Sequence, residues 1–202
     1  MPAREFAERT SAASAAPRHV LLASGSPQRR RILEDLGVTF AVTVPDVPER
    51  EVGDPEEVAV ANALAKARAV AAGAGALVIG CDTVVATEEG LWGKPAGPED
   101  ARRTLEHLSG RTHRVVSGLA VLRGGEPSTA TATTVVTFRR LTPPLLARYV
   151  ATGEWEGRAG AYAIQSAGAI LVERSDGCLL NVIGLPVQAL LRLAPELGDA
   201  QG

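Results

Sequence analysis

Apolar stretches and helix-like stretches alternate along the first 86 residues, and that order restricts the chain to the α/β class. The run His19 to Ala23 is short and apolar and ends at Ser24-Gly-Ser-Pro27, as a buried strand entering a loop does. A helix is expected from about Pro27 to Leu36, with Ile32, Leu33 and Leu36 on one face and Gly37 as its stop. Phe40 to Val44 reads as a second strand, closed by Pro45. Asp54 is placed as N-cap, and Pro55 as first residue, of an Ala-rich helix reaching about Ala72. Ala76 to Ala86 then reads as a strand carrying an aspartate in its middle.

Beyond it the pattern gives a helix from about Pro98 to Leu108. Val115 to Leu122 and Thr129 to Phe138 form a β-hairpin around Arg123-Gly-Gly-Glu126. Pro143 to Ala151 reads as helix, Ala161 to Val172 as extended and apolar, and Pro186 to Leu193 as the closing helix. No repeat or linker divides the chain, and 202 residues suit one sizeable core. The expectation is a single α/β domain over residues 18–197, with a mixed twisted β-sheet flanked by helices. An Ala/Ser-rich tail over 1–17 and a short tail over 198–202 flank it.

Charge and composition narrow the partners. A formal net charge of −2 offers no field for gripping a long polyanion, and 3% aromatics offer no stacking platform for single strands. Extended nucleic acid is therefore excluded, while a small phosphate ligand needs only a local cluster of cations. Cys81 and Cys178 are far apart and outside any CxxC pair, which leaves zinc unsupported and reads as two buried thiols. The first residues form no secretory signal and no stretch is apolar enough to span a bilayer, so a cytoplasmic protein without membrane contact is expected.

Two local patterns point to chemistry. In Ser24-Gly-Ser-Pro-Gln-Arg-Arg-Arg31, Ser26 is placed to cap the first helix, and three arginines follow at once. Cations there oppose the helix dipole by roughly 0.3–1 kcal/mol each, a cost that an anion docked on the helix N-terminus reverses. Two arginines can also fork onto phosphate oxygens; a solvated basic turn is the bland alternative. The second pattern is Gly80-Cys-Asp-Thr83, where Asp82 interrupts an apolar strand. A carboxylate there must be paired, hydrogen-bonded or bound to a cation. Lys66 and Lys94 are candidates to pair with it or with a triphosphate. Asp46, Glu49 and Glu51 lie in a Pro-punctuated loop that is either a solvated acidic turn or the source of a second oxygen ligand for Mg²⁺, and Glu49 is the candidate chosen among them.

Six segments in order carry a family likeness: Ala23-Ser-Gly-Ser-Pro-Gln-Arg-Arg30, Gly80-Cys-Asp-Thr-Val-Val85, Gly93-Lys-Pro95, Ser109-Gly-Arg-Thr-His-Arg-Val115, Glu154-Trp-Glu-Gly-Arg-Ala-Gly-Ala-Tyr-Ala-Ile-Gln165 and Asn181-Val-Ile-Gly-Leu-Pro186. Over about residues 19–193 the chain resembles the Maf proteins, also called septum formation inhibitors. The resemblance implies a fold akin to the inosine triphosphate pyrophosphatases, often as a homodimer. It implies a nucleoside triphosphate substrate cut to monophosphate and pyrophosphate, with Mg²⁺ or Mn²⁺ as cofactor. By position, Asp82 matches the proposed catalytic acid/base. Ser24, Ser26, Arg29, Lys66, Lys94 and Gln165 match substrate-contacting positions, and Glu49 matches the acidic end of the loop. An unperturbed aspartate, with pKa near 3.9, is a weak lone base, so water activated by the metal, with Asp82 orienting it, is the expected nucleophile.

The likeness also bears on specificity. Branches resembling thymidine/uridine triphosphatases carry Arg, Thr and Gln where this chain has Gln28, Thr83 and Gln165. Gln165 suits the O4 and N3–H edge of uracil or thymine. The neutral Gln28 removes a fixed charge and opens a broader or modified substrate set. His113 is expected as a hydrogen-bonded residue at a strand start, and Tyr162 and Trp155 either pack near the base or serve the core. A septation regulator acting through protein binding is the competing class, and it would have no need of Asp82, Lys66, Lys94 and Arg29 together.

Overall fold

In the computed structural model, residues 19–70 and 75–198 are described. The tail expected over 1–17, all but the first residue of that over 198–202, and the expected helix end near Ala72 lie outside them. Strand β1 (His19–Ala23) leads through α1 (Pro27–Asp35) to β2 (Ala41–Val42), and α2 (Pro55–Arg68) leads on to β3 (Ala76–Thr87). After β4 (Gly90–Trp92) and α3 (Pro98–Leu108) comes the hairpin of β5 (Thr112–Arg123) and β6 (Glu126–Phe138). The chain ends with α4 (Pro143–Val150), β7 (Val172–Asp176), α5 (Leu179–Ile183) and α6 (Val187–Leu193).

The seven strands among the described residues form one mixed sheet in the order β2-β1-β3-β5-β6-β7, with β4 paired to β3. Only β2-β1-β3 is parallel. The step from β1 to β2 moves one way across the sheet and the step from β2 to β3 moves back past β1. Right-handed crossovers therefore put α1 and α2 on opposite faces. The cores agree. Ile32 and Leu33 of α1 pack with Leu77, Ile79 and Cys81, whereas Ala63 and Ala67 of α2 pack with Val78 and Ala120. A further core joins the far ends of β3, β5 and β6 to α3, α4 and residues 155–171.

Helix α2 starts as its sequence dictates. The Asp54 carboxylate accepts from the backbone N–H groups of Glu56 and Glu57 at 3.0 and 3.1 Å, and Glu56/Glu57 and Lys66/Arg68 complement the two ends of the dipole. The helix lies unusually close to the sheet. A Cβ at Gly80 would stand 2.2 Å from the Ala63 carbonyl oxygen, and one at Gly118 2.2 Å from the Ala59 carbonyl carbon. Two glycines on adjoining strands thus form a seat for α2, and Gly118 is directly opposite Asp82.

Several expected elements differ. The second strand is two residues long, with Val44 exposed beyond it, and α2 ends at Arg68. The expected extended stretch 161–172 instead runs from the end of one 3₁₀ turn, Ala159–Ala161, through irregular turns into a second, Ala167–Leu171, and only Val172 begins a strand. Its apolar residues Tyr162, Ile164 and Leu171 are buried by core packing and not by sheet pairing. Strands β4 and β7 and helix α5 were not expected. Both cysteines are free thiols, and Cys178 is half-buried rather than buried. No described helix is long and apolar enough to cross a membrane.

Candidate active site

Pairing between β1 and β3 ends at Ala23 opposite Gly80, so Cys81, Asp82 and Thr83 run on past the end of β1. A crevice opens there, where the two crossovers diverge to opposite faces; open α/β sheets bind ligands at such a point. Asp82 and Thr83, being adjacent on a strand, point to opposite faces. The cleft wraps the strand end and is reached from both, with a volume of about 550 Å³. All ten expected site residues line it: Ser24, Ser26, Gln28, Arg29, Glu49 and Lys66 from the first part of the chain, then Asp82, Thr83, Lys94 and Gln165.

On the α1 face, Ser26 caps the helix, accepting from the Arg29 N–H at 3.4 Å. The buried Arg29 guanidinium donates to Gly184 O at 2.8 Å, Ser24 Oγ at 3.0 Å and Thr83 Oγ1 at 3.2 Å. Thr83 is steadied in turn by Ser117 Oγ at 2.8 Å, its cross-strand neighbour. The three arginines do not act together: Arg30 and Arg31 are exposed, and Arg31 pairs with Asp35 at 2.9 Å. The fork expected from adjacent arginines is therefore absent, because the helical turn sends only Arg29 inward.

On the α2 face, Asn62 and Lys66 are one turn apart and both reach Asp82. Lys66 Nζ donates to Asp82 Oδ1 at 2.6 Å, and Asn62 Nδ2 donates to Oδ2 at 2.9 Å. Lys66 also pairs with Glu49 Oε1 at 2.8 Å, and Lys94 approaches Glu49 Oε2 at 3.3 Å. Asn62 further accepts from Arg50 N at 2.8 Å and donates to Arg50 O at 3.0 Å, which ties the Glu49 loop to α2. Burial alone would raise the Asp82 pKa, but the Lys66 charge, the hydrogen bonds from Lys66 and Asn62 and the Arg29 charge outweigh it and hold the carboxyl below its usual range. Glu49 is likewise lowered, its partial desolvation being overcome chiefly by Lys66.

Among the described residues no three His, Cys, Asp or Glu side chains converge into a cage. The donor set still suits Mg²⁺ or Mn²⁺, which take one or two carboxylates and fill the remaining positions with phosphate and water. Asp82 and Glu49 have spare lone pairs, and Lys66 holds them together.

The remaining wall comes from residues 156–165. Gly160 and Ala161 have φ of 70° and 62°, and a Cβ at Gly160 would meet Val85 Cγ2 at 2.8 Å. This tight turn brings Tyr162 and Gln165 to the cleft. Tyr162 also donates to or accepts from His113 Nε2 at 3.0 Å. His113, on β5, does not line the cleft; burial pushes its pKa down to about 4, so the ring is neutral. Trp155 belongs to the core, donating to Val150 O at 2.9 Å. Sequence reasoning missed Asn62, Ser117 and Arg158. The four-residue spacing to Lys66 was a signal for Asn62, and Arg158 stood unremarked within a quoted motif.

The family described as Maf-like protein matches residues 19–197. A protein of Moorella thermoacetica named dTTP/UTP pyrophosphatase is 47% identical over 184 residues, covering 89% of this chain and 95% of the relative. Proteins with the same name from Gloeobacter violaceus and Thermococcus gammatolerans are 44% and 42% identical over 180 and 179 residues. They share 88% and 89% of this chain, and 95% and 96% of their own lengths.

Proposed function

The chain belongs to the Maf-like protein family, and on that premise we propose that its cleft hydrolyses a nucleoside triphosphate to the monophosphate and pyrophosphate. The names of its relatives point to dTTP and UTP. The supporting observation is that Arg29 and Asp82, reached from helices on opposite sheet faces, line one cleft.

Arg29 and Ser24 receive the phosphates at the end of β1. Asp82, kept ionised, accepts a hydrogen bond from a water and aims its oxygen at the α-phosphorus. The new P–O bond forms as the bond to the bridging oxygen breaks, and the electron pair leaves on pyrophosphate. With a lowered pKa, Asp82 is an orienting acceptor that passes the proton on toward solvent. Lys66 has three N–H donors and spends two on Asp82 and Glu49, so one remains for a phosphate oxygen. Lys94 offsets charge on the leaving group. A Mg²⁺ or Mn²⁺ ion held by Asp82 and Glu49 would add Lewis-acid neutralisation of the phosphates. Gln165 reads the O4 and N3–H edge of a pyrimidine. The working compartment in this reading is the cytoplasm, where free nucleotides are.

Purified protein with Mg²⁺ or Mn²⁺ is expected to release pyrophosphate from UTP or dTTP. Asp82→Asn is expected to lower the rate on the order of 10²–10⁴-fold while keeping native circular dichroism. Orthophosphate as the first product would overturn attack at the α position.

A further inference from the structure

Among the described residues four cations line the cleft, and they differ in what neutralises them. Lys66 and Lys94 are engaged by Asp82 and Glu49. Arg29 is buried against neutral oxygens deep in the wall. Arg158 is half-buried, and none of the ion pairs among the described residues engages it.

Its partners are neutral. Nε donates to the Glu154 carbonyl at 2.5 Å, which fixes the side chain to its own loop. The other contact crosses the cleft. With the Gln28 amide oriented so that both of its ends are satisfied, its oxygen accepts from Arg158 Nη1 at 2.8 Å and Nη2 at 3.0 Å, while its nitrogen donates to Ser26 Oγ at 3.1 Å. The opposite amide orientation would set N–H groups against guanidinium N–H groups, so this is the favoured one.

We propose that Arg158 is a substrate-binding residue that Gln28 holds across the cleft, where it grips the triphosphate; this rests on the function proposed above. A guanidinium has five N–H donors, and three are used by Glu154 and Gln28, which leaves two for phosphate oxygens. The uncharged amide positions the fork without cancelling its charge. It also stands on the first turn of α1 beside Ser26, at the anion-binding end of the helix. An arginine at position 28 would repel the guanidinium; a glutamine there lets the cation come from the opposite wall.

The test measures pyrophosphate release from UTP and calorimetric binding of α,β-methylene-UTP. Arg158→Gln is expected to raise KM, and to weaken analogue binding, on the order of ten- to hundredfold, with kcat falling much less. Exchanging the pair, Gln28→Arg with Arg158→Gln, rebuilds the same amide–guanidinium contact in reverse and is expected to recover most of that loss. An unchanged KM in Arg158→Gln overturns the assignment, even if its unfolding midpoint falls, because a brace for the loop would behave in that way. A double exchange no better than Arg158→Gln alone overturns the part given to Gln28. Wild-type protein that binds the analogue but releases no pyrophosphate would remove the hydrolytic reading and leave the binding comparison of these variants standing.

Discussion

The two faces of the cleft hold charge in opposite ways. On the α2 side, carboxylates and ammonium groups neutralise each other: Asp82 and Glu49 share Lys66, and Glu49 also meets Lys94. On the α1 side, Arg29 is held only by a carbonyl and two hydroxyls. The first arrangement fixes geometry but leaves little net charge, whereas the second keeps a full positive charge directed at the crevice. A polyanion is attracted by the second and aligned by the first. The difference also sets how each side responds to mutation and to acid.

The largest effect is expected from Lys66→Met. It leaves Asp82 buried and ionised with only Asn62 beside it, and removing one partner of a buried pair costs about 3–5 kcal/mol. Urea unfolding at pH 7 measures this loss. The sign of its pH dependence follows from the pKa directions. In the wild type both carboxyls are lowered, so their contribution is present above the unfolded values and lost as pH falls through the folded ones. In the variant, desolvation raises Asp82 instead, and its protonation relieves the penalty. The deficit at pH 7 should therefore shrink markedly at pH 4. A deficit that stays constant with pH would contradict the pairing.

Arg29→Met is the counterpart, and its expected cost is smaller, about 1–3 kcal/mol for hydrogen bonds between a charged donor and neutral acceptors. Among the described residues no carboxylate bonds to it, and Asp82, which feels its charge, titrates below this range, so the deficit between wild type and variant should be nearly flat from pH 7 to pH 5 in the same unfolding series. A deficit that follows the Lys66 variant would show that the two walls are one network.

Much of this arrangement could be read before folding, for local reasons. Asp54-Pro55 and Ser26-Pro27 mark helix starts within a few residues, Arg123-Gly-Gly-Glu126 marks a two-residue hairpin, and a lone aspartate in an apolar run marks a site. The part that could not be read depends on tertiary contacts. The stretch from Ala161 to Leu171 carries apolar residues because it packs into the core shared with α3, α4 and the ends of β3, β5 and β6, and its turns are set by the positive φ of Gly160 and Ala161 and by Glu154. That carboxylate accepts from Ser166 Oγ at 2.9 Å and from the Ala167 and Gly168 N–H groups at 3.3 Å. The close seat of α2 on Gly80 and Gly118 was equally hidden, since glycines two positions out of register on adjoining strands become a seat only once the strands pair. Lys66, legible as a cation, thus became the centre of a charge network that sequence spacing alone did not reveal.

One group behind the cleft wall also responds to acid. His113 packs edge-on to Phe138 and Tyr162, with ring centroids 4.9 and 5.5 Å away, and bonds the Tyr162 hydroxyl. Its Nδ1 is buried without a hydrogen-bond partner. Desolvation lowers its pKa from 6.5 to about 4, so the unfolded chain binds the proton that the folded one refuses. Stability from the neutral ring is full above pH 6.5 and is lost progressively as the pH falls from 6.5 toward 4. At pH 5.5 the loss relative to pH 7.5 is about 1 kcal/mol. Lys66 and its carboxylates contribute almost nothing in that interval, because their titration lies lower. His113→Gln should abolish the decline between pH 7.5 and 5.5 in urea unfolding, whatever its effect on stability at pH 7.5. If the decline persists in His113→Gln and disappears in Lys66→Met, the acid sensitivity belongs to the carboxylate wall, and the separation between the two faces drawn here is too sharp.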